Sequence, residues 1–150
     1  NNVNVMAIHK NIEITMEFLH SNPNCYFVFG DNLIRKGYGG AAALRDHPHA
    51  IGFITKKFPS NEDSSFYKPD EYESIFFKEL SNLKKLILNN EDEIFYISKI
   101  GSGLANKYNI WEVLIEPNLT SKLSKFKNVM KKAQGVKNNF ISGNRGKVYV

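Results

Sequence analysis

Cysteine is almost absent: Cys25 is the one thiol in 150 residues. An intrachain disulfide framework and a cysteine-based zinc cluster are therefore excluded. Its setting, Cys25-Tyr-Phe-Val-Phe29, reads as a buried strand thiol. Long apolar runs are lacking as well. No stretch approaches the ~18 apolar residues of a membrane span, and no membrane partner is expected. No charged-then-apolar leader opens the sequence, so the expected location is cytoplasmic. His47 and His49 flank Pro48, reading as a loop pair that would need further partners to hold a metal. No metal and no cofactor are expected. Acidic residues are missing beyond Glu116, where eight basic residues lie. The first 116 residues then hold 12 basic and 15 acidic side chains, against a whole-chain net charge of +5. A mildly acidic body with a basic tail fits a phosphate-rich partner, nucleic acid included, or simply a solvated helix face.

What is present is an alternation of strand and helix patterns. The length suits one domain, and no repeat or linker interrupts it. Val3–Val5 alternates like an edge strand, and Ile12, Met16 and Leu19 have helical spacing. Tyr26–Phe29, Ala50–Ile54 and Glu93–Ile97 are strand-like runs. Ala41–Arg45 reads as a helix. Apolar positions from Tyr72 to Ile87 recur at three and four residues, predicting a helix over 70–88, with Asp70 as its N-cap. A helix from Trp111 should end at Pro117. Leu119, Leu123, Phe126 and Met130 mark another, and Phe140–Val150 reads as a hairpin. The expected fold is α/β: a layered domain with a central mixed, largely parallel sheet flanked by helices. Residues 1–119 form its body, and 120–150 a basic helix and hairpin packed on the same domain.

Ligands of such sheets bind beyond the carboxyl ends of strands. The loop after Phe29 holds Asp31, Asn32, Gly37, Tyr38, Gly39, Gly40 and Ala41. Glycines let a ligand approach the backbone, and a helix N-terminus attracts an anion. Asn32 donates and accepts, as ribose hydroxyls require. The loop after Ile97 holds Lys99, Gly101, Ser102, Gly103 and Leu104, a backbone nest with a hydroxyl and a cation. Each loop alone reads equally well as a tight turn. Paired, they point to a diphosphate flanked by sugars.

The segments YFVFGDNLIRKGYGGAAALR, AIGFITKK and ISKIGSGLA resemble an uncharacterised family frequent in bacteriophages. That family in turn resembles a divergent branch of the macro-domain superfold, over roughly Tyr26 to Leu119. Macro domains hold ADP-ribose between an Asn-containing glycine-rich loop and a later Gly-Ser/Thr-Gly loop. The resemblance implies a macro-domain-like fold. It implies that Asn32 contacts the distal ribose, that Gly39, Gly40 and Ala41 line the first phosphate loop, and that Gly101–Leu104 line the second. It also implies an ADP-ribose-type nucleotide or an ADP-ribosylated macromolecule as partner, in the host cytoplasm if a phage encodes the chain. Ala41 and His49 depart from it, since relatives often carry Gln and Asn there.

Hydrolysis of an ADP-ribosyl bond needs a group that activates water or attacks the sugar carbon. Asp31, beside Asn32, is the first choice, and a turn acid the alternative. Lys56, after the second strand, would supply an amine or steady a phosphate. Tyr38 either stacks on a base or sugar or covers the helix start. The competing function is a nucleic-acid-binding or phage–host interaction module led by the basic tail, without catalysis.

Overall fold

In the computed structural model, residues 6–9 and 14–132 are described. Five strands, β1 (Met6–His9), β2 (Cys25–Asn32), β3 (Ala50–Lys56), β4 (Ile94–Ile97) and β5 (Val129–Lys132), form one sheet in the order β1-β5-β4-β2-β3. All four pairings are parallel. The sheet is thus wholly parallel among the described residues, where a mixed one was expected. Parallel sheets need both faces covered, and this one has two cores. Val28, Phe53, Phe95, Ile97 and Val129 point to one side, against α2 (Pro69–Leu88) and α3 (Glu116–Leu123). Phe27, Phe29 and Tyr96 point to the other, against Leu19 of α1 (Met16–Ser21) and the short turn Gly40–Leu44. The strict alternation along β2 and β4 is what divides the side chains between the layers.

Local chemistry sets the element ends. The Thr15 hydroxyl accepts from the Phe18 amide and caps α1. Pro69 opens α2, where its missing N–H costs nothing. Glu71 rather than Asp70 then closes the entry, accepting from the Lys68 amide at 2.9 Å. Tyr72, Phe76, Leu80, Leu83 and Ile87 form the buried stripe of α2. Each is worth roughly 1.5–3 kcal/mol of apolar burial.

Three expected elements change. The Ala41–Arg45 helix is a tight 3₁₀ turn over Gly40–Leu44. The helix from Trp111 does not stop at Pro117. A wide π turn over Trp111–Ile115 leads without a break into α3, with Pro117 just past the wide turn. The helix expected through Met130 ends at Leu123, and Val129–Lys132 is strand. Spacing alone favoured a helix, but Val129 and Met130 go to opposite cores, which only an extended chain allows. β5, drawn from the basic segment, lies between β1 and β4. Val3–Val5 and the Phe140–Val150 hairpin lie outside the described residues.

Among the described residues β3 ends the sheet on one side, and side chains satisfy its outward backbone. The Gly52 carbonyl accepts from Arg35 Nη1 at 2.9 Å. The Ile54 amide donates to Glu79 Oε1 at 2.8 Å, and the Ile54 carbonyl accepts from the Tyr72 hydroxyl at 2.5 Å. Removing an acceptor from a buried donor costs more than removing a neutral partner. Glu79→Ala should therefore lower stability by about 2–3 kcal/mol and Tyr72→Phe by about 1 kcal/mol. Urea unfolding checks this, and equal losses would contradict the assignment.

Candidate functional site

β2 has β3 on one side and β4 on the other, all parallel. The loops after Asn32, Lys56 and Ile97 therefore leave the same end of the sheet. There they enclose a cleft of about 450 Å³. Its walls include Asp31, Asn32, Lys36, Gly37, Tyr38, Gly39, Lys56, Pro59, Asn61 and Leu104.

Asp31 organises the floor. Its carboxylate is 2% exposed. Oδ1 accepts from the Asn32 amide and Arg45 Nη2, both at 2.8 Å. Oδ2 accepts from Arg45 Nη1 at 2.9 Å and Arg35 Nη1 at 3.2 Å. A carboxylate offers about four acceptor positions, and all are taken. Asp31 is thus committed to ion pairing and is not placed to act as a base, contrary to the role first assigned to it. Arg45 makes the two-pronged contact that suits a planar guanidinium. The Arg45 guanidinium also donates to the carbonyls of Gly37 at 2.9 Å and Lys36 at 3.2 Å. Arg35 continues the chain of charges to Glu79, 3.0 Å away. Two cations and two carboxylates thus join the first loop, β2, β3 and α2.

Gly52 explains why this group fits. A Cβ there would stand 2.3 Å from Asp31 Oδ2 and 2.9 Å from its Cβ and Cγ. Only glycine lets the carboxylate lie on β3.

Asn32 closes the loop rather than projecting freely. Its Nδ2 donates to the Lys36 carbonyl at 2.8 Å, and its Oδ1 accepts from the Lys36 amide at 3.3 Å. One donor and one acceptor position remain for a ligand. Arg35 takes the left-handed conformation (φ 56°) inside this turn, and Gly37 (φ 96°) follows. Gly40 opens a five-residue 3₁₀ turn. That is too short for a helix-end anion site. Ala41 is fully buried in the second core and cannot touch a ligand.

Lys56 is placed by a slip in register. Asp31 pairs with Ile54 but Asn32 with Lys56, so Thr55 is extra. Such a bulge redirects the following side chain. Lys56 lines the cleft yet is only 6% exposed. It faces no carboxylate within ion-pair distance among the described residues. Its Nζ sits 5.0 Å from the Phe66 ring centre. Burial pushes its ammonium below the ordinary value of 10.5.

The second loop is brought to the same sheet end, but only Leu104 reaches the cleft wall. Gly101 (φ 82°) is required for packing. Its missing Cβ makes room for Ile115 Cδ1, 2.4 Å from where a Cβ would be. The Ser102 hydroxyl donates back to the Lys99 carbonyl at 2.7 Å. Lys99 lies over Trp111, 5.5 Å from its ring centre. Gly101, Ser102, Gly103 and Lys99 are thus not cleft residues in this conformation.

Sequence reasoning missed Arg35, Arg45, Glu79 and Gly52. Arg35 and Arg45 lie four and fourteen residues beyond Asp31, and only the fold shows that they converge on it. The residue Gly52, inside an apolar strand, was the one available signal. His47 and His49 lie just before β3, at the opposite end of the sheet from the cleft. His49 Nδ1 is 3.0 Å from the Cys25 carbonyl, and its ring stacks on Tyr26 at 4.0 Å. Among the described residues no group of ligand side chains is arranged to hold a metal ion.

Gly52→Ala should displace Asp31 and lower stability by about 3 kcal/mol or more. Asp31→Asn should cost about 3 kcal/mol by leaving the guanidiniums unmatched. Combined, the two should cost clearly less than their sum, since both break one contact. Additive losses in chemical unfolding would show that Gly52 and Asp31 act separately.

No curated protein and no solved structure matches the chain. Residues 9–107 match DUF7831, and the chain belongs to this family of unknown function.

Proposed function

We propose that the cleft binds ADP-ribose or a closely related nucleotide, with its diphosphate beside Lys56. The observation that carries this reading is Lys56 itself. A buried ammonium without a carboxylate partner is unfavourable unless an anion completes it. Lys36 adds a second cation to the wall. The one carboxylate there, Asp31, is already matched by two guanidiniums. The field in the cleft therefore favours a negatively charged guest.

The resemblance to macro domains supports the choice of ADP-ribose. The pairing of β2 with β4 adds Leu104 of the second loop to the cleft wall. Asn32 retains a free donor and acceptor for a ribose hydroxyl. With Asp31 saturated, the reading is of binding, either to free nucleotide or to an ADP-ribosylated macromolecule, and not of hydrolysis through that acid. The nucleic-acid alternative is less well supported, because part of the basic segment is the interior strand β5.

Calorimetry with ADP-ribose should give saturable binding, and ligand at 100 times its dissociation constant should add about 2.7 kcal/mol of stability. Lys56→Met should abolish binding while raising the stability of the free protein at neutral pH. The sign follows from proton counting. Below its lowered pKa, Lys56 is charged in both states and its burial cost is fully present. Between that value and 10.5 the unfolded chain holds more protons, so stability rises with pH. Lys56→Met should lack this rise. Absence of heat and of any melting shift with ADP-ribose would overturn the reading.

A further inference from the structure

Tyr38 and Leu104 share the cleft mouth, from different loops. They are 59% and 57% exposed, among the most exposed large apolar residues described. Neither serves the core. Tyr38 is nonetheless held in place. Its hydroxyl donates to the Asp46 carboxylate, 3.2 and 3.3 Å from the two oxygens. Gly37 and Gly39 flank it, and no atom comes within 4 Å of a Cβ built at Gly39. The result is an aromatic ring anchored at its polar tip, with open space at its base.

The cleft is therefore divided. Lys56 supplies a cation at the ends of β2 and β3, while Tyr38, Leu104 and Pro59 supply an apolar mouth. A phosphate uses only the first part. An exposed ring gains most from a flat aromatic partner, which stacks without needing a particular hydrogen-bond pattern. We infer that Tyr38 and Leu104 form a base-binding subsite, so that the ligand class is a nucleotide rather than a pyrophosphate or sugar phosphate. This rests on the proposed anion site at Lys56. It adds that the aromatic base, not the charge alone, sets specificity, and that Asp46 is a positioning residue for the Tyr38 ring.

The test compares three probes, ADP-ribose, ribose 5-phosphate and inorganic pyrophosphate, by calorimetry on the whole chain. Tyr38→Ala should weaken ADP-ribose about tenfold or more, as loss of a stacked base does elsewhere. It should leave the affinities for ribose 5-phosphate and pyrophosphate within about twofold of wild type. Tyr38→Phe should retain most ADP-ribose affinity, because the ring is kept. Asp46→Ala should match Tyr38→Phe, since both release the same hydroxyl anchor. Lys56→Met should abolish binding of all three probes. An unchanged ADP-ribose affinity in Tyr38→Ala, or an equal loss for every probe, would overturn the base subsite while the anion site stands. If no probe binds wild-type protein, the anion site falls and the subsite with it.

Discussion

One carboxylate, held between two guanidiniums on the surface of a glycine, fixes the cleft end of this sheet. Asp31 has little exposure to water, and a buried carboxylate is costly without partners. Arg45 and Arg35 make its charge tolerable, and Gly52 provides the space. The same guanidiniums hold backbone carbonyls of Lys36, Gly37 and Gly52. The ion pairs and the loop conformation are therefore a single structure. A buried ionic group of this kind adds less to stability than to uniqueness, because it forbids other arrangements of the loop.

That rigidity makes sense of the neighbouring lysine. Lys56 is left without a carboxylate beside a network in which Asp31, Arg35, Arg45 and Glu79 match one another. A local rule broken beside a region that obeys it is the usual mark of a site kept for a ligand. The bulge at Thr55 has the same character. It interrupts the register of β2 with β3 only at the last pair, after the apolar body of the strand is complete.

Much of the architecture was legible from residue pattern. The apolar runs at Tyr26–Phe29 and Ile94–Ile97 and the helical stripe from Tyr72 to Ile87 carry periods that survive folding. The adjacency of the first two loops' strands followed from the alternation of strand and helix. Val129 and Met130 were misread because three- and four-residue spacing continues past Leu123 by coincidence, and only pairing with β1 and β4 decides against it. Lys56, Tyr38 and Asn32, singled out by type and position, all line the cleft. Asp31 was noticed for the wrong role, since its partners Arg35 and Arg45 meet it only through folding. Gly101 of the second loop signalled a ligand but serves packing against Ile115.

The outward backbone of β3 is occupied by Arg35, Glu79 and Tyr72. A strand edge is normally the surface on which another chain can add itself, residue by residue. Over Gly52–Ile54 that growth is blocked by the same residues that order the cleft floor. Loosening the site by mutation would thus also open a template for aggregation. Arg35 and Glu79 serve the strand edge and the cleft floor at once.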